Sequence, residues 1–425
     1  MARAEAPAPA ADPGEQSTAT AADTALQRMA AGLLPFMQEA SGLPARSALK
    51  LATRTRAELE AYLERQLAED LPPATAAALG RVYARFGLIP ETLDISGLLR
   101  TLLLEQVVGY YDPERDTLYV IDSVPLSQVE AVLAHEIVHA LQDQYVDLDS
   151  LMTSLKDRGD RAAAARAALE GHATYAMLEW QWGQLTGNRV DLTQLPNLTQ
   201  ALGADPLALA GVEMPALREA PRVIREGLLF PYLGGLGFVQ SFWSRRGSRV
   251  TPLGDALPGS TEVIMHPERY WPTLDEPTDV FFDEDLPEGW DRVSSDALGE
   301  HETRIFLEEF LLEQSQAERA AAGWDGDRYA LYDGPGGEVL LWVTVWDSDN
   351  EAAEFEAAAR EAFARRYSGD GAPGAEGAQA GSGRDVILSR HNEAGRPIVI
   401  VWDLPVGVSS AELDGALTVR LEGGE

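Results

Sequence analysis

Residues 127–144 read SQVEAVLAHEIVHALQDQ, and this stretch predicts the helix around which the fold is arranged. Leu133, Ile137 and Leu141 follow one another at intervals of four residues, which places them on one face of a helix. We therefore expect an amphipathic helix that extends to about Gln144 and packs this apolar face into the core.

The same spacing separates two histidines of this helix. His135 and His139 stand four residues apart, so their imidazoles point to one side and can bind one metal ion. A catalytic zinc site keeps three protein ligands and one water, and Glu136 is the candidate base that would accept the proton of that water. With six histidines in 425 residues, a chance H-E-x-x-H is expected on the order of 0.01 times per chain of this composition. The alternative, a helix with two hydrogen-bonded structural histidines, stays open.

Three sets of residues compete for the position of the third ligand. Glu170 lies in a second helical segment, from about 160 to 185, and small residues after it would allow that helix to approach the metal closely. His172 lies in the same segment but points about 200° around the helix from Glu170. The third set lies close to the histidine motif in sequence and consists of Asp143, Asp147 and Asp149.

Comparison of the motif with the known zinc peptidase classes narrows the choice of the third ligand. A metzincin would have Gly and His where this chain has Gln142 and Tyr145, so that class is excluded. The segment Glu170-Gly171-His172-Ala173 resembles the gluzincin metallopeptidases, in which a second helix supplies a Glu ligand. Its Glu-Gly-x-Ala arrangement is similar to that of the gluzincin aminopeptidases.

The resemblance covers about 70 residues, from residue 105 to Thr174. It is strong only at the H-E-x-x-H motif and at the Glu-Gly-x-Ala motif. It implies that His135, His139 and Glu170 are the zinc ligands and that Glu136 is the catalytic base. Thermolysin-like members have an Asp one turn after the ligand Glu, where it orients a histidine. This chain has Thr174 there, so that contact is expected to be weaker or to come from another residue.

A zinc hydrolase also needs a donor that stabilises the oxyanion, usually Tyr or His. His266 and Tyr270 stand close together after a loop rich in Pro and Gly, and Tyr232 lies in a separate segment. All three are candidates, and the alternative for each is simple packing of a loop. His301 and His391 are predicted to be structural or surface residues.

A β-hairpin is predicted directly before the motif helix. Residues 105–111 and 117–122 are the strand candidates, and residues 112–116 form the turn between them. Because a strand beside a cleft can bind an extended peptide through its main chain, residues 109–111 or 118–120 are the candidate substrate edge.

The overall expectation is an α+β fold with three parts. Residues 1–22 form an Ala/Pro-rich disordered tail, and residues 23–295 form a mainly helical, zincin-like domain with a small edge hairpin. Residues 296–425 form a small α+β module of two hairpins with a helix between them, interrupted by a Gly/Ala-rich insert at 369–383.

Composition limits the partners and the chemistry. The formal net charge of −34 disfavours nucleic acid and anionic membranes as partners. The absence of cysteine excludes disulfides, thiolate metal sites and a cysteine nucleophile. No stretch approaches the ~18 apolar residues of a membrane-spanning helix, so a soluble protein is expected. It would be exported or surface-tethered if a signal precedes this sequence, and cytoplasmic otherwise.

These features together predict a zinc-dependent metallopeptidase whose substrate is a peptide or protein. Two alternatives stay open at this stage. One is a non-catalytic zinc-binding protein whose C-terminal module mediates interactions, and the other is a zinc hydrolase of a non-peptide amide. The oligomeric state and the substrate preference do not follow from the sequence.

Overall fold

The computed structural model describes residues 21–423, apart from residues 107, 123, 125, 196–197, 199–214, 251 and 369–382. These residues form a mainly helical α+β fold, which confirms the predicted class. Among the described helices, none combines the length and the apolar character needed to span a membrane.

The described residues up to 270 form mainly helices. In chain order these are α1 (Ala21–Ser41), α2 (Arg56–Asp70), α3 (Pro73–Phe86), α4 (Ile95–Gln106), α5 (Leu126–Asp143), α6 (Leu148–Ser154), α7 (Gly159–Thr186), α8 (Pro215–Glu219), α9 (Arg222–Arg246) and α10 (Thr261–Met265), with 3-10 turns at Leu192–Gln194, Gly254–Ala256 and Pro267–Tyr270. The motif helix is confirmed as α5, and the second predicted helix is confirmed as α7. The predicted tail at 1–22 overlaps the first two residues of α1, and its residues 1–20 lie outside the described part.

A three-stranded sheet lies beside α5. It contains β1 (Leu51–Arg54), β2 (Gly109–Asp112) and β3 (Thr117–Ile121) in the order β1-β3-β2. The predicted hairpin is confirmed, because β2 and β3 are antiparallel neighbours with Tyr110 opposite Tyr119.

Two details of this sheet differ from the prediction. The first hairpin strand is shorter, since residues 105 and 106 still belong to α4, whose Leu102 continues the apolar face of that helix into the core. In addition, the sheet contains a strand that was not predicted, β1, which pairs with β3 in parallel.

The predicted apolar face of α5 is buried as expected. Leu133, Ile137 and Leu141 are each fully buried, and they pack in one core with side chains from α1, β3 and α7. Burial on this face leaves the opposite side of α5, which carries His135 and His139, directed towards α7 and β2.

The C-terminal part is organised around a second, larger sheet. Its elements are β4 (Asp279–Glu284), β5 (Asp291–Asp296), α11 (Gly299–Phe310), α12 (Gln314–Ala321), β6 (Trp324–Gly334), β7 (Gly337–Trp346), α13 (Asp349–Ser368), β8 (Arg384–Glu393), β9 (Arg396–Pro405), α14 (Ala411–Asp414) and β10 (Leu417–Glu422). The sheet has the order β5-β6-β7-β9-β8, and β4 pairs separately with β10. The two predicted hairpins are confirmed, and all but the last residue of the predicted insert at 369–383 lies outside the described part.

The expected domain boundary between residues 295 and 296 falls inside β5, which pairs with β6 of the C-terminal sheet. The core of this sheet also extends into the N-terminal helices. Phe86 of α3 packs edge-on against Trp342 of β7, with ring centroids 5.2 Å apart. The two predicted domains therefore share one apolar core.

Buried and partly buried carboxyl groups line this shared region. Asp160, at the start of α7, accepts a hydrogen bond of 3.1 Å from the Thr261 backbone N–H, and Glu302 of α11 accepts one of 2.7 Å from the Tyr83 hydroxyl. Burial raises the pKa of Asp160 to about 7 and that of Glu302 to about 8. Both groups therefore bind protons in the folded protein at pH values where the unfolded chain has released them.

This difference predicts the pH dependence of stability. Because the folded state holds more protons than the unfolded state from about pH 4 to pH 8, the free energy of unfolding should fall as the pH rises through this window. Glu302→Gln should reduce the fall between pH 5 and pH 8 by about 3 kcal/mol, measured by urea unfolding at both pH values. The matched control is Glu354→Gln on an exposed position of α13, and a wild-type slope in Glu302→Gln would contradict the prediction.

Candidate metal centre

Three side chains from two helices converge on one point. His135 and His139 come from α5 and Glu170 comes from α7, and each offers a ligand atom to a shared position. The two Nε2 atoms lie 3.0 Å apart, and they lie 3.0 and 3.3 Å from Glu170 Oε2. Ligand atoms around a tetrahedral zinc ion lie roughly 3.3 Å apart when the bonds are about 2.0–2.1 Å long. The cluster therefore fits zinc in both its atom types and its dimensions.

The other residues considered for the third ligand have different partners. His172 is fully buried, and its Nε2 lies 2.9 Å from the Ser41 carbonyl oxygen. Asp143 accepts hydrogen bonds from the Tyr111 hydroxyl and the Leu148 backbone. Asp147 caps the N-terminus of α6, and Asp149 lies in the first turn of the same helix.

The helix crossing that positions Glu170 depends on the glycine after it. A Cβ atom on Gly171 would lie 2.0 Å from the carbonyl carbon of Gly235, so α7 and α9 touch through their backbones. The small size of Gly171 therefore serves the contact with α9, whereas Ala173 and Ala176 form the small surface that packs in the core with α5. Of the small residues predicted to allow a close approach to the metal, Ala173 thus lies towards α5, whereas Gly171 faces α9.

The charges of the cluster attract each other strongly. Burial lowers the pKa of His139, but the nearby carboxylate of Glu170 raises it overall to about 9. Burial likewise raises the pKa of Glu170, yet the histidines bring it below its ordinary range. In the metal-free protein a proton on His139 therefore occupies the region where a metal cation would bind, and metal binding would release it.

Glu136 lies beside this cluster without belonging to it. Its Oε2 accepts a hydrogen bond of 2.9 Å from the Tyr111 backbone N–H of β2. Burial raises the pKa of Glu136 above its ordinary value. The edge strand therefore holds this carboxylate next to the ligands while leaving it available as a proton acceptor.

The structure brings one of the three oxyanion candidates to the cluster. The ring centroid of Tyr232, on α9, lies 6.1 Å from that of His135, and its side chain is partly exposed. The negative charge of Glu170, followed by burial and by the charge of Glu136, raises the pKa of Tyr232 well above its ordinary value. The hydroxyl group therefore stays protonated at neutral pH and can donate a hydrogen bond.

The other two oxyanion candidates have partners elsewhere, because α10 and the turn after it pack against the C-terminal part and the end of α9. His266 Nε2 lies 2.8 Å from Glu300 Oε1. The Tyr270 hydroxyl donates to the Ala256 carbonyl at 2.7 Å, and its ring packs edge-on against Phe242. Their described contacts thus give neither residue a role at the cluster.

The remaining predicted residues also have defined surroundings. His301 stacks on Phe230 with ring centroids 3.9 Å apart, and His391 lies exposed on β8 beside Ser389, as expected for structural and surface histidines. Thr174, one turn after Glu170, has a buried hydroxyl group without a hydrogen-bond partner among the described residues.

Sequence reasoning missed one residue of the site. Gln142 Oε1 lies 2.8 Å from His139 Nδ1, whereas the sequence used Gln142 only to exclude the metzincin class. Its spacing of three residues from His139 on one helix is the signal that predicts the contact.

Direct metal binding tests the assignment of the cluster. We expect one zinc ion per chain, and Glu170→Ala should weaken zinc binding by about 100-fold or more because one of three protein ligands is lost. Competition with a coloured chelator measures the affinity. The control is His391→Ala, which removes an exposed histidine outside the cluster; equal effects of the two variants would show that zinc binds elsewhere.

Comparisons with known proteins reach only the C-terminal part of the chain. A family profile described as "Domain of unknown function (DUF8575)" matches residues 285–402, which extend from before β5 into β9. No curated protein and no solved structure matches the chain at a significant level. The match therefore includes neither α5 nor α7.

Proposed function

We propose that this protein is a zinc-dependent hydrolase that cleaves peptide bonds, with a site similar to that of the gluzincins. The observation that carries the proposal is the position of Glu136, whose carboxylate is held by β2 beside three potential ligands. A structural zinc site is closed by four protein ligands, whereas a catalytic site has three and an open position for water. Three ligands with an adjacent base favour catalysis over a purely structural metal.

The residues divide the chemistry between them. A zinc ion held by His135, His139 and Glu170 would lower the pKa of a bound water towards ~7 and polarise the substrate carbonyl. Glu136 then accepts the proton of the attacking water and donates it to the nitrogen of the leaving amine. Tyr232 donates a hydrogen bond to the oxygen of the carbonyl as negative charge develops on it.

The terminal strand of the small sheet supports an extended peptide as substrate. The Ile121 N–H donates a hydrogen bond of 3.1 Å to the Val108 carbonyl. Because hydrogen-bonded pairs alternate in an antiparallel ladder, Tyr110 also bonds to β3, and the main-chain groups of Gly109 and Tyr111 point away from it. The Tyr111 N–H donates a hydrogen bond to the Glu136 carboxylate. Because β2 is a terminal strand of its sheet and its outward side faces the base, residues 109–111 remain the candidate substrate edge.

Removal of the base should separate chemistry from metal binding. Glu136→Gln should lower the rate of peptide hydrolysis by about 10²–10⁴-fold, because the amide cannot accept the water proton, while the zinc content stays at one per chain. A library of quenched fluorescent peptides measures the rate. Glu130→Gln, on the same helix, is the matched control, and undiminished hydrolysis by Glu136→Gln would refute the mechanism.

A pair of tyrosine variants tests the oxyanion donor. Tyr232→Phe should lower kcat by about 10²-fold, because one donor to the developing charge is lost. Tyr270→Phe removes a hydroxyl group that donates to Ala256 and should leave kcat unchanged. The reverse pattern would assign the role to Tyr270.

If the wild-type protein binds zinc but cleaves no peptide, cell-wall peptides and non-peptide amides should be tested with the same variants. Cleavage of these compounds that depends on Glu136 would retain the chemistry but change the substrate. A complete absence of turnover would favour the non-catalytic zinc protein.

A further inference from the structure

A buried chain of hydrogen bonds extends from His139 to the end of α1. Gln142 and His172 are both fully buried. Gln142 Oε1 lies 2.8 Å from His139 Nδ1, and Gln142 Nε2 lies 2.9 Å from the Leu169 carbonyl oxygen and 3.1 Å from His172 Nδ1. His172 Nε2 lies 2.9 Å from the Ser41 carbonyl oxygen.

Two backbone carbonyl groups determine where the protons of this chain reside. A carbonyl oxygen can only accept a hydrogen bond, so the nitrogen of the Gln142 amide must face Leu169 and its oxygen must face His139. His139 therefore carries its proton on Nδ1. The Ser41 carbonyl likewise requires a proton on His172 Nε2, which leaves His172 Nδ1 as acceptor for the second hydrogen of the Gln142 amide.

We propose that Gln142 is the positioning residue of the metal centre. By accepting the Nδ1 proton of His139, it leaves the lone pair on Nε2, the atom that faces His135 and Glu170. Through Leu169 it also ties α5 to the residue that precedes Glu170. One side chain thus orients one ligand and fixes the backbone beside another.

An amide serves this purpose in a way that a carboxylate cannot. A carboxylate could accept from His139, but it has no hydrogen to donate to Leu169 or His172. The amide satisfies all three partners and adds no negative charge to a site that already contains Glu136 and Glu170. In this chain the contact that orients a ligand histidine therefore comes from Gln142 on α5. It does not come from Thr174 on α7, the position that holds the orienting Asp in thermolysin-like members.

The inference rests on the metal site of the proposed function but not on hydrolysis, so zinc affinity is the first readout. Gln142→Leu keeps the approximate size of the side chain and removes every hydrogen bond, and it should weaken zinc binding about 10–100-fold. The matched control is Gln240→Leu. Gln240 is another buried glutamine whose amide bonds three backbone groups, those of Leu192, Leu195 and Leu198, and its loss should leave zinc affinity within about twofold.

The comparison separates positioning from general stability. Both variants lose a buried hydrogen-bonding amide and should be destabilised, but only Gln142→Leu should lose zinc affinity. Wild-type affinity in Gln142→Leu would overturn the inference alone, as would an equal loss in Gln240→Leu. A wild-type protein that binds no zinc would overturn the proposed function as well.

A spectroscopic readout does not require any variant to fold. In zinc-loaded protein with ¹⁵N-labelled histidine, the six histidines should include two that bind metal through Nε2 and bear a proton on Nδ1, assigned to His135 and His139. His172 should be neutral with its proton on Nε2. Metal bound to His139 through Nδ1, or the opposite tautomer of His172, would contradict the proton positions on which the inference depends.

Discussion

Backbone contact between α7 and α9 is the constraint on which the candidate metal centre depends. Neither Gly171 nor Gly235 has room for a Cβ atom, since one added to Gly235 would lie 1.8 Å from the Ala167 carbonyl oxygen. Glu170 precedes one of these glycines, and Tyr232 lies about one turn before the other. The same contact thus sets the positions from which a ligand and a potential oxyanion donor extend, and a larger residue at either glycine would separate them.

The other side of the site is fixed by β2. Tyr111 binds Glu136 through its backbone and Asp143 through its hydroxyl group, and these two acids stand seven residues apart on one face of α5. The C-terminal part supports these helices at other points, because Asp296 of β5 accepts a hydrogen bond from the Gly159 backbone N–H at the start of α7, and His301 of α11 stacks on Phe230 of α9. The shared core therefore makes the C-terminal sheet part of the support of the site.

The sequence was most informative where the pattern was local. The helix around His135 and His139 could be predicted because its apolar face and its histidines repeat with the same period within 18 residues. The approach of Glu170 followed from a resemblance, and the structure shows the three side chains together. Local patterns did not predict β1, which is defined by its pairing with a strand more than 60 residues later. The expected boundary at 295/296 lies within β5 of the larger sheet.

Local sequence also could not distinguish between the oxyanion candidates. His266 and Tyr270 resembled Tyr232 in sequence context, and only the tertiary fold distinguishes them, by giving His266 the buried partner Glu300 and Tyr270 the carbonyl of Ala256. Gln142 was overlooked because its partners, Leu169 and His172, come from another helix.

Anomalous diffraction at the zinc absorption edge, from crystals grown with zinc, tests the central claim most directly. The account predicts one peak about 2.0–2.2 Å from His135 Nε2, His139 Nε2 and a Glu170 carboxylate oxygen, with Glu136 outside the coordination shell. A peak bound by other residues, or by Glu136 as a fourth ligand, would contradict it.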